Sequence, residues 1–308
     1  MSTDRNDSSL AEVPAEAGVA KPDAILVADG VARRFGGLTA VDVDHLEVQR
    51  GVITALIGPN GAGKTTFFNL LTAFDRPDAG RIVFDGHPLG RLPAHKVTRH
   101  GMVRTFQLTK ALSRLTVLDN MKLGAAGQRG ERFLPALFPP LWRDQEREIE
   151  ERAVDLLARF KLDKMAGEFA GTLSGGQRKL LEMARALMVE PKMVLLDEPM
   201  AGVNPVLTQS LLTHVRNLRD LGMTVLFVEH DMDVVYDISD WVVVMAEGRI
   251  IAEGPPRAIG ANPAVIDAYL GTHHDAPATE AEEQRRLEEA AAVPGTEAGA
   301  EVAGEDRP

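Results

Sequence analysis

The feature that most constrains this chain is the segment GPNGAGKTT, residues 58–66, which directly follows the apolar run Val52–Ile57. It matches the pattern G-x-x-x-x-G-K-[ST] at the point where a buried strand must turn into a helix. The glycines let consecutive backbone N–H groups wrap around phosphate oxygens, and the helix that follows presents its positive end to the same anion. Lys64 is placed to reach the terminal phosphates, and the Thr65 hydroxyl is placed to coordinate Mg²⁺. The predicted phosphate-binding residues are Gly58, Pro59, Asn60, Gly61, Ala62, Gly63, Lys64, Thr65 and Thr66.

A second signal is MVLLDEP, residues 193–199, a buried strand that ends in two carboxylates. Asp197 at the end of the strand is predicted to hold Mg²⁺, directly or through water. Glu198 has the position to orient and deprotonate an attacking water molecule. An Asp-Glu pair after a strand is more often a solvated loop, but beside a phosphate-binding loop it predicts hydrolysis of a nucleoside triphosphate.

The third signal is LSGGQRK, residues 173–179. Ser174 and Gln177 have the spacing of a capping box at the start of a helix. A capped helix start that contains two glycines is also an exposed anion site, which could receive a phosphate held by another chain. The spacing of these residues leaves both interpretations open.

Between these motifs the chain alternates between short apolar runs and stripes of helical period. Besides Val52–Ile57, the runs Met193–Leu196 and Thr224–Val228 are typical of strands buried on both faces of a parallel sheet. Two helical stripes are predicted to face the core, one formed by Ile149, Ala153, Leu156, Leu157 and Phe160, the other by Leu180, Met183, Ala184, Leu187 and Met188. Alternating apolar residues in 41–48, and the heptapeptides GRIVFDG and GRIIAEG, predict further strands.

Two more motifs complete a pattern, namely Gln107 in RTFQ and His230 in VEHD. With the three signals above, they stand in the order and approximate spacing of an ABC ATPase nucleotide-binding domain, which the chain resembles from about residue 25 to 271. LSGGQ separates ABC proteins from other P-loop enzymes, and a P-loop kinase or GTPase would not explain it. The resemblance implies an α/β P-loop NTPase fold with a parallel-sheet core around residues 50–110 and 170–240. It also implies an antiparallel β portion from the N-terminal strands and a helical subdomain near 111–170.

The resemblance assigns roles residue by residue. Phe35 matches the aromatic that stacks on adenine, with a buried core Phe as the alternative, and Gln107 matches the glutamine that senses Mg²⁺ and the γ-phosphate beside the surface that meets the membrane partner. His230 matches the switch histidine that contacts the γ-phosphate. The signature segment, residues 174–177 (Ser174, Gly175, Gly176 and Gln177), is expected to face the γ-phosphate bound by a second subunit. Asn204 departs from the family's pattern, in which an Asp is usual.

The chain also resembles, more narrowly, the ATP-binding subunits of branched-chain amino-acid ABC importers. The segments that carry this resemblance are RTFQL, TVLDNM, DEPMAGVNP, EHDMDVV and NPAVIDAYLG. It implies ATP and Mg²⁺ as cofactors and a place at the cytoplasmic face of the cell membrane. The implied partners are a second ATPase subunit, either a paralogue or a second copy, integral membrane permease subunits and, indirectly, a substrate-binding protein. The stretch Phe133–Trp142 could dock a partner or simply pack within its insertion. The alternative function is a soluble ABC ATPase that acts on ribosomes or nucleic acid.

Charge and composition bear on that alternative. The net charge of −11 lies mostly in residues 1–23, at −3, and 272–308, at −7, so residues 24–271 carry about −1 and lack the basic excess of a nucleic-acid-binding face. Both end segments are poor in large apolar residues, which predicts disordered tails around a domain at 24–271. Zero cysteines exclude disulfides and thiol catalysis. No apolar run approaches the length of a membrane span, and the N-terminus lacks the pattern of a secretory signal.

Overall fold

The computed structural model describes residues 10–90, 92–105, 113–128 and 142–271. Gln107, Phe133 and the predicted tail segments 1–9 and 272–308 lie outside the described residues. The compact unit of the fold ends at Tyr269. Within the described ranges, no helix has the length and apolar character needed to cross a bilayer.

The strands form two sheets. Their bounds are β1 Ala24–Phe35, β2 Leu38–Gln49, β3 Ile53–Ile57, β4 Ala79–Phe84, β5 His87–Pro88, β6 Met102–Arg104, β7 Met193–Asp197, β8 Thr224–Val228, β9 Trp241–Ala246 and β10 Arg249–Gly254. The first sheet is antiparallel with the order β2-β1-β4-β5, and the second has the order β10-β9-β3-β8-β7-β6. In the second sheet all neighbours pair in parallel except β10, which pairs antiparallel with β9. The α/β class and both β portions are therefore confirmed.

The α-helices surround the second sheet and extend into the segment predicted to be helical. Their bounds are α1 Lys64–Leu71, α2 Ala94–Arg99, α3 Val117–Leu123, α4 Arg143–Arg159, α5 Gly175–Ala186, α6 Pro205–Asp220, α7 Met232–Ile238, α8 Pro256–Gly260 and α9 Pro263–Gly271. Both predicted stripes face the core: the first lies along α4 and the second along α5 and the turn after it. Asn204 caps α6, since its Oδ1 accepts the Leu207 N–H at 2.9 Å. Asn and Asp cap a helix about equally well, so the departure at this position keeps the helix cap.

Two hydrophobic cores lie on opposite faces of the parallel strands. One contains α1 and the inward faces of the antiparallel sheet, with Phe67, Phe68 and Phe84 fully buried. The other contains α4, α5 and α6, with Leu157, Ala184 and Leu211 fully buried. β3, β7 and β8 contribute side chains to both cores, which is why their sequences are continuous apolar runs rather than alternating ones.

Residues 10–23 pack on the folded unit, whereas composition predicted a disordered tail through residue 23. Leu10 is buried in the core beside the antiparallel sheet. The Lys21 side chain is 1% exposed, and its Nζ donates to Glu253 Oε2 at 2.6 Å. The same Oε2 atom accepts the Trp241 Nε1–H at 2.9 Å. The Val19 N–H donates to the other oxygen of Glu253 at 3.0 Å. A few contacts with residues far along the chain hold this segment, and average composition does not reveal them.

Candidate nucleotide-binding site

The register of the parallel strands brings three of the predicted motifs to one edge of the sheet. Leu56 of β3 pairs with Val228 of β8, and Val228 pairs with Asp197 of β7. The phosphate loop follows β3, Glu198 follows β7 and His230 follows β8, so all three leave the sheet at its carboxyl edge. Ligands bind at this edge in open α/β sheets. Motifs more than 100 residues apart in sequence therefore meet at one place.

The backbone of the phosphate loop requires its first and third glycines. Gly58 has a φ of 148°, and a Cβ built on it would lie 1.9 Å from the Met245 carbonyl oxygen. Gly63 has a φ of 95°, and a Cβ there would lie 2.3 Å from the Ala40 carbonyl oxygen. Gly61 faces open space with a φ of 79°. The loop is thus pressed onto β9 and β2 on one side and open on the other, as a cradle for an anion must be.

Lys64 points back into this loop. Its Nζ donates to the carbonyl oxygens of Gly58 at 2.7 Å and Pro59 at 2.8 Å. Burial lowers the pKa of Lys64, and the negative charges of Glu198 and Asp197 oppose that shift. The structure therefore places the predicted phosphate-binding cation within the electrostatic reach of both predicted carboxylates. Thr65, the second residue of α1, is exposed.

Asp197 is held by a residue that the sequence analysis missed. Its Oδ2 accepts from Arg104 Nη2 at 2.5 Å, and Arg104 Nη1 donates to Asn69 Oδ1 at 2.6 Å. The Arg104 and Asp197 side chains are only 8% and 11% exposed. Arg104 ends β6 three residues before Gln107, and nothing local in the sequence indicates this long-range pair.

The donor set suits a metal that arrives with a nucleotide. In the described part of the chain, no group of three or more His, Cys, Asp or Glu side chains could hold a metal ion. The Thr65 hydroxyl and the Asp197 carboxylate are hard oxygen donors, and Mg²⁺ commonly takes one or two such ligands and completes its shell with phosphates and water.

His230 and the residue before it have different environments. The His230 side chain is 66% exposed and is available to a ligand at the sheet edge. The Glu229 side chain is buried, and its Oε1 accepts the Met200 N–H at 2.9 Å. Burial raises the pKa of Glu229, and the backbone amides of Met200 and His230 oppose the shift. No sequence motif predicted a role for Glu229.

The signature segment begins α5 as a capping box, which confirms the local prediction. The Gln177 N–H donates to Ser174 Oγ at 3.3 Å, and the Ser174 N–H donates to Gln177 Oε1 at 2.9 Å. Ser174 and Gly175 are exposed, and a Cβ on Gly175 would meet nothing within 4 Å. Among the described residues, no hydrogen bond or ion pair joins this segment to the phosphate loop. The capped helix start is therefore open to another molecule.

Phe35 lies at the end of β1, in the turn to β2. Its side chain is 49% exposed, which excludes the alternative of a buried core phenylalanine. The Arg33 guanidinium lies over its ring at 4.7 Å. An exposed aromatic ring is suited to stacking on a flat ligand.

The comparisons with known proteins agree with this geometry. Residues 41–201 match the family described as ABC transporter, and residues 249–275 match the family described as branched-chain amino acid ATP-binding cassette transporter. The chain is 44% identical over 249 residues to the high-affinity branched-chain amino acid transport ATP-binding protein BraF of Pseudomonas aeruginosa, covering 80% of this chain and 98% of BraF. It is 40% identical over 249 residues to the corresponding protein LivG of Escherichia coli, with the same coverage.

Solved structures show the same similarity. A crystal structure of a nucleotide-free ATP-binding cassette from an ABC transporter matches with a TM-score of 0.70 and 38% identity over 80% of this chain and 98% of that one. A crystal structure of the ADP conformation of an ATP-binding cassette matches with a TM-score of 0.71 and 38% identity, covering 80% and 99% of the two chains. With its phosphate loop, strand-end carboxylates and capped LSGGQ helix in this arrangement, the chain belongs to the ABC transporter family of ATP-binding proteins.

Proposed function

We propose that this chain binds and hydrolyses ATP as one of two paired subunits that power an importer for branched-chain amino acids or related small molecules. The observation that carries the proposal is the meeting of the phosphate loop, Asp197, Glu198 and His230 at one sheet edge, on a chain that also exposes a capped signature segment. The relatives are named as branched-chain amino acid transport ATP-binding proteins, which supports this substrate class.

In the proposed reaction Glu198 accepts a proton from the water that attacks the γ-phosphate, and His230 contacts that phosphate. Lys64 leaves the carbonyl oxygens of its own loop and donates to the terminal phosphates instead. Thr65, Asp197 and Gln107 would hold Mg²⁺, which neutralises the charge that develops on the phosphate oxygens. Phe35 stacks on the adenine ring.

The second subunit supplies the signature segment that completes each ATP site. Ser174 and Gly175 are exposed, and among the described residues no hydrogen bond or ion pair joins the signature segment to the phosphate loop, which supports a contact with ATP held by a partner. In this arrangement Ser174 and the first turn of α5 donate to the γ-phosphate across the interface. ATP then holds two subunits together, and hydrolysis lets them part.

A groove of about 220 Å³ next to Thr105 is a suitable place for the permease to dock. Val97 of α2, Met102 of β6 and Val189 line it, together with the charged Glu182 and Arg185. Thr105 lines this groove and lies two residues before Gln107 in the sequence, so a permease helix that docks at the groove would lie beside the residues that lead to Gln107. Because ATP is made inside the cell, we place the subunit at the cytoplasmic face of the membrane.

The alternative of an ABC ATPase that acts on ribosomes or nucleic acid receives no support. BraF and LivG are named as transport proteins, and residues 24–271 of this chain are nearly neutral in charge. Co-purification with integral membrane subunits separates the two functions, because binding to ribosomes or DNA instead would favour the alternative.

The replacement Glu198→Gln tests the proposed chemistry. Loss of the base should lower ATP hydrolysis by roughly 10²-fold or more while ATP binding is retained, so an ATP-bound dimer should accumulate. Steady-state hydrolysis, equilibrium ATP binding and gel filtration with ATP measure these three effects. Turnover near that of the wild type would reject Glu198 as the base. In vesicles that contain the permease subunits, the same variant should abolish ATP-driven uptake of leucine.

A further inference from the structure

The turn after β7, residues 198–201, is held by a lysine of helix α5. Lys179 Nζ donates to three backbone carbonyl oxygens, those of Glu198 at 3.2 Å, Pro199 at 3.0 Å and Ala201 at 2.5 Å. An ammonium group has three N–H donors, so the turn uses all of them. The half-buried lysine thus connects α5 to the backbone of the proposed catalytic base.

The turn needs such support because its first residue is strained. Glu198 has a φ of 45°, a left-handed conformation that is unfavourable for a residue with a Cβ. Such conformations persist only where the surroundings hold them. The Glu198 N–H donates to the Val228 carbonyl oxygen at 3.0 Å, and the Met200 N–H donates to Glu229 Oε1 at 2.9 Å. Lys179 holds the carbonyl side of the same turn, so the turn is held from both sides.

Lys179 also places a positive charge among carboxylates. Burial lowers the pKa of Lys179, and the negative charges of Glu229, Glu182 and Glu198 oppose that shift. A neutral side chain at position 179 would leave three carbonyl oxygens without their donor and the carboxylates without their cation.

We propose that Lys179 is a positioning residue for ATP hydrolysis. Lys179 lies on α5, the helix that begins at the signature segment, and it holds Glu198 in its left-handed conformation. The inference rests on the proposed function, in which Glu198 is the base. Ser174 and Lys179 are separated by less than two turns of one helix. A second subunit that displaces the signature segment would therefore move the base of this chain's own site.

Three variants test this proposal. Lys179→Met keeps the length of the side chain and removes the donors, and Lys179→Arg keeps the charge. Lys164→Met is the control, since Lys164 is an exposed lysine outside the proposed site. Lys179→Met should lower the single-turnover rate roughly tenfold or more, because small displacements of a catalytic group are costly, and leave the equilibrium affinity for ATP within about twofold. Lys179→Arg should recover part of the rate, and Lys164→Met should match the wild type.

A double variant separates positioning from general stability. Residues that act as a unit are strongly non-additive, so Lys179→Met should add little further loss to Glu198→Gln. A full multiplicative loss in that background, or a wild-type rate for Lys179→Met, would overturn the inference. If Lys179→Met does not fold, Lys179→Arg carries the test, because its planar group cannot satisfy all three carbonyls and its rate should fall at unchanged ATP affinity. Wild-type turnover of Glu198→Gln alone would instead overturn the proposed function.

Discussion

At the level of single residues, the two glycines of the signature segment have different surroundings. A Cβ on Gly175 would meet nothing within 4 Å, whereas a Cβ on Gly176 would lie 2.3 Å from Leu207 Cδ1. Gly176 is therefore small because α6 packs against it. Packing within the chain gives no such reason for Gly175, which is the residue that an approaching phosphate would require to be small.

Replacement of each glycine by alanine tests this difference. Gly175→Ala should change the free energy of unfolding by less than about 0.5 kcal/mol, as an exposed substitution without strain. It should nevertheless lower the ATPase rate of the dimer roughly tenfold or more, because the methyl group displaces the ligand. Gly176→Ala should destabilise the fold by about 1–3 kcal/mol through overpacking. Urea unfolding and steady-state hydrolysis measure both effects, and a fully active Gly175→Ala variant would contradict a phosphate contact there.

At the level of elements, the carboxylate of Asp85 joins the two sheets. Asp85 lies in the turn between β4 and β5, and its Oδ1 accepts from Arg50 Nη2 at 2.7 Å. Its Oδ2 accepts from Lys192, which directly precedes β7. The Lys192 ammonium and the Arg50 guanidinium lower the pKa of Asp85 to about 2. A lowered pKa in the folded state means that this ionisation stabilises the fold above the ordinary pKa of the group, and that the stabilisation is lost as the pH falls toward 2.

The replacement Asp85→Asn should lower the free energy of unfolding by about 1 kcal/mol at pH 7, a modest value because both cations are partly exposed and screened. The difference from the wild type should shrink as the pH falls below about 4, since the wild-type carboxylate then takes up a proton. Urea unfolding between pH 7 and the lowest pH at which the protein folds measures this difference in the free energy of unfolding. Asp44→Asn is the control, because Asp44 is exposed on β2. A difference that does not change with pH would contradict the pKa assignment.

At the level of the whole molecule, the N-terminal segment decides where the folded unit begins. Composition predicts that residues 24–271 suffice for folding and hydrolysis. Truncation to residues 24–271 removes Lys21, whose ammonium group pairs with the fully buried carboxylate of Glu253. Removal of one partner of a buried ion pair lowers the free energy of unfolding by about 3–5 kcal/mol, because the other charge stays buried without its partner. A chain of residues 10–271 should therefore unfold at the same urea concentration as the full chain, and residues 24–271 at a clearly lower one. Equal midpoints would show that the segment contributes nothing.

The pairing of subunits can be tested with two inactive variants. Lys64→Ala disables the phosphate loop of its own chain, and Ser174→Arg blocks the site completed on the partner. If the chain pairs with itself, a mixed dimer carries both defects in one site and leaves the other intact. At equal amounts, random pairing makes about half the dimers mixed, so roughly a quarter of the wild-type sites should recover. Verified mixed dimers without any recovered activity would argue against sites shared between subunits, and failure to form mixed dimers would indicate a paralogous partner.

The parts of this protein that depend on near neighbours along the chain could be predicted from the sequence. The phosphate loop, the strands β3, β7 and β8, and the capping box of Ser174 and Gln177 follow from local spacing and periodicity, and the structure reproduces these local elements. The order of the motifs also identified the family, because five ordered patterns rarely agree by chance.

The distant residues that support the site could not be predicted in this way, because the folded chain brings them together. Arg104 meets Asp197 across 93 residues, Lys21 meets Glu253 across 232, and Lys179 meets the Glu198 turn although α5 and β7 are separate elements. Arg104, Lys21 and Lys179 are charged residues of a type that is common on solvated surfaces, so neither composition nor periodicity distinguishes them from such surface residues. Strand register and helix packing bring these groups together, and burial then makes their hydrogen bonds obligatory.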